Sequence, residues 1–240
     1  MKRVAILGID CATQPNKTGL ALGEVLDGVF RVSRCCVGSK ARPSATIAVE
    51  WLSGCSDVLL SLDSPLGWPR ALGESLYGHR AGDPLGAEAN SLFRRAADVK
   101  IKRRLNKLPL EVGANLLART AAASLVLLDE IRRQTGHPIP MAWVPEQLES
   151  WRVIEVYPSA TRIAHGAPDR GGSLEGLAAV LDCSHVAGAV QSDPNAADAC
   201  VCALAGADFL AGRAVPPTDL ETALIEGWIW APDRLGEGAS

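Results

Sequence analysis

Two carboxylates stand at the ends of apolar runs that the sequence predicts to be buried strands. The run R-V-A-I-L-G-I-D at residues 3–10 ends in Asp10, and D-V-L-L-S-L-D at residues 57–63 ends in Asp63. A third run at residues 151–157, W-R-V-I-E-V-Y, carries Glu155. Open α/β sheets place their sites beyond the carboxyl ends of parallel strands, so these acids are candidates to meet at one sheet edge. A single acid in such a place is more often a helix cap or a turn former, and the set therefore carries the prediction.

Asp198 lies on a predicted helix, within P-N-A-A-D-A-C-V-C-A-L-A-G-A-D-F-L. Its helical neighbours are apolar: Val201, Cys202, Ala205 and Phe209. That stripe should face the sheet, where a carboxylate is costly unless a partner neutralises its charge. The partner could be a buried arginine. It could instead be a metal ion shared with Asp10 and Asp63.

Clustered carboxylates repel one another and need a cation. Ligand sets made only of oxygen favour Mg²⁺ or Mn²⁺ over zinc, which predicts a divalent metal site at Asp10, Asp63 and Asp198. Two such ions about 4 Å apart activate water and stabilise the leaving oxygen in phosphodiester hydrolysis. We therefore expect Mg²⁺ or Mn²⁺ as the cofactor, with two ions in the site.

The surrounding pattern predicts an α/β fold that brings these acids together. Residues 18–25 and 29–37 are predicted strands joined by the hairpin signal Asp27-Gly28, so that the chain opens as a three-stranded antiparallel meander. The remaining predicted elements are helices at residues 44–53, 114–134, 173–181, 193–211 and 218–226, and a short last strand at residues 227–230. We expect one domain over residues 1–240, with an irregular and helical insertion at about residues 64–150.

This order of acids and elements resembles the ribonuclease H-like superfamily. There a mixed five-stranded sheet is flanked by helices and carries its acids on strand one, near strand four and on the last helix. The chain is more closely similar to the DUF429 family of predicted ribonuclease H-like nucleases. The matching pieces are G-I-D at 8–10, L-D-S-P-L-G at 62–67, F-R-R-A-A-D at 93–98, E-V-Y-P at 155–158 and D-A-C-V-C-A-L at 198–204. The resemblance implies a metal-dependent nuclease with Asp10, Asp63, Glu155 and Asp198 as its catalytic residues.

A strongly basic segment, residues 94–107, reads R-R-A-A-D-V-K-I-K-R-R-L-N-K. Such a segment can neutralise several phosphates, which predicts nucleic acid as the partner. The expected substrate-binding residues are Arg94, Arg95, Asp98, Lys102 and Arg103. The first two and Asp98 also fall within the family-like motif. A solvated helix face, with Asp98 paired to Lys102, is the alternative.

Composition narrows the function classes. The formal net charge of the whole chain is −3, so any attraction for nucleic acid must come from a local patch. The longest apolar runs fall well short of the roughly 20 residues that span a membrane, and we expect no membrane association. The seven cysteines include no C-x-x-C pair, which indicates reduced thiols in a cytoplasmic protein rather than a disulfide framework.

Two other functions fit the same elements. Actin-like proteins and sugar kinases share this core, and G-I-D-C-A-T-Q-P-N-K-T-G-L resembles their first phosphate loop. This chain, however, lacks a second glycine-rich loop and is too short for two copies of the fold. A non-catalytic module that binds nucleic acid or protein on the same fold is the other alternative. The sequence does not choose among DNA, RNA and small nucleotides, nor does it give the oligomeric state.

Overall fold

The computed structural model describes residues 4–113, 115–145 and 148–234. A mixed sheet in the order β5-β4-β1-β2-β3-β6 runs through its centre. Its strands are β1 Ala5–Asp10, β2 Gly19–Leu26, β3 Val29–Val37, β4 Val58–Asp63, β5 Trp151–Glu155 and β6 Leu181–Asp182. The first three form the antiparallel meander that the sequence predicts. Its hairpin turns at Asp27 and Gly28, which both have positive φ.

The three strands that end at the acids run parallel. β4 lies between β1 and β5, and both of its neighbours run in the same direction as β4 itself. The carboxyl ends of β1, β4 and β5 therefore meet at one edge of the sheet, which is where sequence reasoning placed the site.

Helices cover both faces of the sheet. They are α1 Ser44–Leu52, α2 Arg70–Leu76, α3 Ala89–Phe93, α4 Ala96–Leu105, α5 Asn115–Thr135, α6 Pro158–Ala164, α7 Ala187–Ser192, α8 Pro194–Leu210 and α9 Leu220–Glu226. Leu7, Ile9 and Leu60 share a core with α1 and α5 on one face. Ile6 and Ala21 pack with α8 on the other face. Alternate residues of each strand thus serve opposite cores, as a sheet covered on both sides requires.

Helix α8 lies unusually close to the sheet, and glycine permits this. A Cβ at Gly8 would lie 2.2 Å from the Ala199 carbonyl oxygen, and one at Gly19 would lie 2.0 Å from that of Asn195. The helix begins as the sequence predicts, with the Asp193 carboxylate accepting from the Asn195 amide and Pro194 in the first turn. Because the backbone of α8 lies against β1, the side chain of Asp198, one turn into the helix, lies near the end of that strand.

Several sequence predictions are corrected. The sheet has six strands rather than five, because Leu181–Asp182 pairs with Phe30 and Arg31 at the outer edge; a two-residue strand leaves no periodic signal. Residues 173–180 form turns instead of a helix, with Gly172 and Gly176 at positive φ. Residues 227–230 contribute only an isolated bridge, between Ile229 and Glu155. Residue 114, where the long helix was predicted to begin, lies outside the described residues, as does Arg3 at the predicted start of β1.

Within the described ranges, no helix combines the length and the apolar character that crossing a membrane requires.

Candidate functional site

Asp10 and Asp63 are neighbours across the β1–β4 pair. The two strands are in register along their whole length, and the last matched pair is Asp10 with Asp63. Residues two apart in a strand point to the same face of the sheet. Asp10 therefore shares a face with Gly8, which lies against Ala199 of α8. Asp63 shares a face with Ser61, whose hydroxyl oxygen would lie 2.4 Å from a Cβ on Gly206 of α8. Both carboxylates therefore leave the sheet on the α8 side, at the carboxyl ends of parallel strands.

The two carboxyls hold protons to an unusually high pH. Burial, followed by the charges of Asp63 and Asp198, raises the pKa of Asp10 to about 9. Burial, followed by the charges of Asp198 and Glu155, raises the pKa of Asp63 to about 8. In both cases the nearby Arg162 guanidinium acts in the opposite direction. Without a cation, the pair does not carry two full negative charges at neutral pH.

Asp198 joins this edge but already has a protein partner. Its Oδ1 accepts from the Arg162 guanidinium and from the Gly172 amide, at 2.9 Å for the amide. Arg162 lies on α6, is 1% exposed, and also donates to the Ser173 carbonyl at 3.0 Å. The Asp198 side chain remains 21% exposed. Of the two partners that the sequence left open, the buried arginine is the one present in the structure. Asp198 also lies near enough to Asp10 and Asp63 to raise their pKa values.

Glu155 leaves the sheet on a different face from the aspartates, although it lies near enough to Asp63 to raise the pKa of that acid. It is in register with Leu62 rather than Asp63, and Val153, two residues earlier, belongs to the core on the α1 and α5 face. By strand alternation its carboxylate leaves the sheet on that face. There Arg95 donates to both of its oxygens, at 2.9 and 2.7 Å, and the Leu66 amide donates at 3.0 Å.

Arg95 and Asp98 complete a buried ionic cluster with Glu155. Each of the two is 1% exposed, and Asp98 accepts from the Arg95 backbone and side chain. The expected pairing of Asp98 with Lys102 is wrong, because Asp98 pairs with Arg95 and Lys102 reaches Asn106. Arg95 and Asp98 thus hold Glu155 and the start of α4 in place. In this arrangement a phosphate has no free guanidinium edge of Arg95 to approach.

The rest of the basic segment points in several directions. Arg94 pairs with Glu111, Arg104 with Asp233 and Lys107 with Asp169. Lys100 and Arg103 make no ion pair with the described part of the chain, and both line an open groove of about 810 Å³. This groove, called the α4 groove below, is also lined by Arg70, Arg94 and the acids Glu74 and Glu226. Lys102 does not line it.

A smaller cavity of about 240 Å³, called the Asp63 cavity below, is also lined by Arg95. Its polar lining residues are Cys11, Asp63, Ser64, Arg95, Thr120, Glu155 and Tyr157. Its apolar walls are Pro65, Pro109, Leu110, Leu117, Val156 and Ile229. Arg95 lines both this cavity and the α4 groove, so the two are neighbours at this residue.

The described residues contain no group of three or more His, Cys, Asp or Glu side chains arranged to hold a metal ion. The donors that fit best are the two oxygen-only carboxylates Asp10 and Asp63, whose charges burial and mutual repulsion disfavour. Asp198 is turned to Arg162.

Sequence reasoning missed Arg162 as a member of the site. A signal was available: the helix P-S-A-T-R-I-A follows the Glu155 strand directly, and an arginine on so apolar a helix must find a buried partner.

Comparison with known proteins gives one family. The sequence model of "Protein of unknown function (DUF429)" matches residues 8–222, a span that contains Asp10, Asp63, Glu155 and Asp198. No curated protein and no solved structure shows a significant match. Since the matched span covers most of the chain and the whole candidate site, the chain belongs to the DUF429 family.

Proposed function

We propose that this protein is a metal-dependent nuclease that hydrolyses phosphodiester bonds at the sheet edge formed by Asp10 and Asp63. The observation that carries the proposal is their register. Two carboxylates end adjacent parallel strands at the same level and face the same helix, which itself carries Asp198. A purely structural role gives no reason to place two acids together at a cost in stability when no described residue pairs with either of them.

The strand order supports a ribonuclease H-like fold. Five of the strands follow the order β5-β4-β1-β2-β3, with β2 antiparallel to its neighbours and β4 and β5 parallel to β1. The acids stand on the first strand, on the fourth strand and on a late helix. This is the arrangement of the superfamily that the sequence resembles, with β6 as an addition at the outer edge.

Asp10 and Asp63 fit a divalent cation of the Mg²⁺ or Mn²⁺ type. Their donor set is oxygen only, and Mg²⁺ commonly binds through one or two carboxylates while it keeps waters and takes phosphate oxygens from a substrate. Such a metal supplies Lewis acidity and an activated water. Arg162 and the Gly172 amide hold Oδ1 of Asp198, so Asp198 would add to the site through its other oxygen or after Oδ1 leaves Arg162, and the expectation of two ions rests on that contribution.

The protein's own side chains have distinct roles in this proposal. Asp10 and Asp63 hold the cation, and Arg162 supplies a fixed positive charge beside them, where negative charge develops on a reacting phosphate. Glu155 and Arg95 hold the carboxyl end of β5 and the loop at Leu66 in position. Lys100 and Arg103 attract the phosphate backbone along the α4 groove, which makes nucleic acid the proposed partner.

A cleavage assay tests the proposal. Purified protein is incubated with single-stranded and structured DNA and RNA in Mn²⁺, in Mg²⁺ and in EDTA. We expect cleavage with metal and none with EDTA, and loss of cleavage in Asp10→Asn and Asp63→Asn with the fold retained by circular dichroism. The matched control is Asp129→Asn, on the exposed face of α5, which should keep full activity.

The alternatives predict different results in the same assay. ATP binding or hydrolysis without nucleic-acid cleavage in any metal would favour the kinase-like function. Nucleic-acid binding that neither metal nor Asp10→Asn affects would favour a non-catalytic module.

A further inference from the structure

The Asp63 cavity is too small for a typical substrate as a whole. Its volume of about 240 Å³ is below the roughly 300–1,000 Å³ of sites that enclose a complete small-molecule ligand. A stretch of double helix cannot enter it. A single flat ring system can, with the rest of its molecule outside.

The walls of the cavity suit the faces of such a ring. Pro65 and Pro109 are rigid, Leu110 and Leu117 are apolar, and Tyr157 contributes an aromatic ring. Its polar lining includes the two carboxylates Asp63 and Glu155 as well as Ser64 and Thr120. A ligand that has flat apolar faces and an adjoining anionic, metal-binding group matches this mixed lining.

Leu110 gives a second indication that something docks here. It lines the cavity and is nevertheless 70% exposed, so a large apolar side chain meets water at the mouth. An occupant of the cavity would cover it. The α4 groove, which Arg95 also lines, offers Lys100 and Arg103 to the neighbouring phosphates of the same strand, and neither cation pairs with a described residue.

We propose that the Asp63 cavity receives one unstacked nucleobase of a single-stranded nucleic acid, with the adjacent phosphate at Asp10 and Asp63. This inference rests on the proposed function and deepens it by naming the substrate class. A base in a duplex must be unpaired and unstacked before it can enter, so single strands bind more tightly than duplexes. In this proposal the cations of the α4 groove bind the phosphates of the nucleic acid by charge, and the walls of the Asp63 cavity contact the flat apolar faces of its base.

Binding assays without turnover test the inference. Fluorescence anisotropy is measured in EDTA and again in Ca²⁺, with short labelled strands of deoxythymidine, of uridine, and of the same sugar-phosphate backbone without bases. The base-containing strands should bind about 5- to 100-fold more tightly than the abasic strand, the range expected when a base stacks on protein side chains. A deoxyuridine strand is added because it differs from the uridine strand only in the 2′-hydroxyl, and this pair shows whether the backbone is that of DNA or RNA.

Two variants locate the base. Leu117→Trp fills the cavity, and Leu110→Ser removes the apolar mouth. Each should reduce the advantage of base-containing over abasic strands and leave abasic binding unchanged. Leu224→Ser on α9 is the matched control, since Leu224 is also well exposed, at 60%, and does not line the cavity. Melting curves confirm that each variant is folded, and Leu110→Ser serves alone if Leu117→Trp is not.

The inference is overturned if wild-type protein binds abasic and base-containing strands equally. It is equally overturned if duplex binds as tightly as single strands, or if both cavity variants keep the full advantage. Its failure differs from failure of the proposed function. Metal-dependent cleavage without any base preference would retain the nuclease and remove the base site. A base preference that depends on Leu110, without cleavage in any metal, would do the reverse.

Discussion

The Arg162 guanidinium binds the Asp198 carboxylate at the same sheet edge at which Asp10 and Asp63 lie. One partner comes from α6 and the other from α8, so the ion pair joins two helices beside the strand ends. Three carboxylates and one buried arginine thus form a single electrostatic unit. Removal of any one charge should therefore change the pKa values of the remaining groups and the free energy of unfolding.

Asp198→Asn should destabilise the metal-free protein. The substitution leaves the buried Arg162 without its carboxylate partner, and an uncompensated buried charge is costly. Because Asp198 is 21% exposed and Asp10 and Asp63 remain near the guanidinium, we expect a loss of about 1–3 kcal/mol in the free energy of unfolding. Urea denaturation in EDTA measures it.

Asp182→Asn provides the comparison for that loss. Asp182 pairs with Arg31 in a partly exposed ion pair, and such pairs contribute about 0–1 kcal/mol. The asparagine oxygen can still accept from the Ser184 amide, so the control should change little. Equal effects of the two substitutions, or a gain in stability for Asp198→Asn, would show that Arg162 does not depend on Asp198.

The metal-free protein should lose stability as pH rises through the neutral range, and Asp10→Asn should lessen that loss. The pKa of Asp10 is raised by burial and by Asp63 from 3.8 to about 9, so the folded state binds a proton that the unfolded state releases. A group with a raised pKa contributes stability that is complete below its unfolded value and lost as pH rises through its folded value. Asparagine does not titrate, and the variant should gain on wild type between about pH 5 and about pH 8.

Denaturation of both proteins in EDTA at several pH values measures this difference. Asp129→Asn, at an exposed position, should run parallel to wild type. A constant difference between wild type and Asp10→Asn across the range would mean that the Asp10 pKa is not raised.

Mn²⁺ should stabilise the folded protein. A ligand that binds only the native state adds RT ln(1 + [L]/Kd), about 2.7 kcal/mol at a hundredfold excess over Kd. Asp10→Asn and Asp63→Asn should each abolish most of the shift in melting temperature, whereas Asp182→Asn should keep it. Since the metal displaces protons from carboxyls with raised pKa values, the shift should grow with pH. The absence of any shift in wild type would refute metal binding at these two residues.

The parts of the fold that sequence reasoning predicted are those with continuous local signals. The apolar runs before Asp10 and Asp63, the Asp27-Gly28 turn and the Asp193-Pro194 helix start all depend on neighbours in the chain, and the structure has each of them. The two-residue strand at Leu181 has no such signal. It forms because β3 leaves an edge to pair with, and a local pattern does not contain that information.

The candidate site also has one part that local sequence patterns predict and another that depends on contacts between distant parts of the chain. The register of Asp10 with Asp63 follows from two strands of equal pattern. The environment of Arg95 does not, because its main partner, Glu155, is 60 residues away and both are buried only once β5 and α4 pack. In the sequence Arg95 looks like one more cation in a basic segment. Its environment differs from that of Arg103, which faces the open α4 groove.

That difference between Arg95 and Arg103 can be tested in solution. Lys100→Gln with Arg103→Gln should leave stability nearly unchanged, since neither side chain pairs with a described residue. The double variant should weaken binding to all single strands alike and reduce the slope of log affinity against log salt by about 1.4, or about 0.7 for each phosphate that is no longer neutralised. Arg34→Gln with Lys40→Gln removes the same charge from an exposed surface away from the groove and should leave the slope nearly intact.

Arg95→Gln should instead lower the free energy of unfolding by about 3–5 kcal/mol, because it leaves the buried carboxylates of Glu155 and Asp98 without their cation. An unchanged salt slope in the first double variant would remove the α4 groove from the nucleic-acid interface. A stable Arg95→Gln that binds nucleic acid weakly would return Arg95 to it.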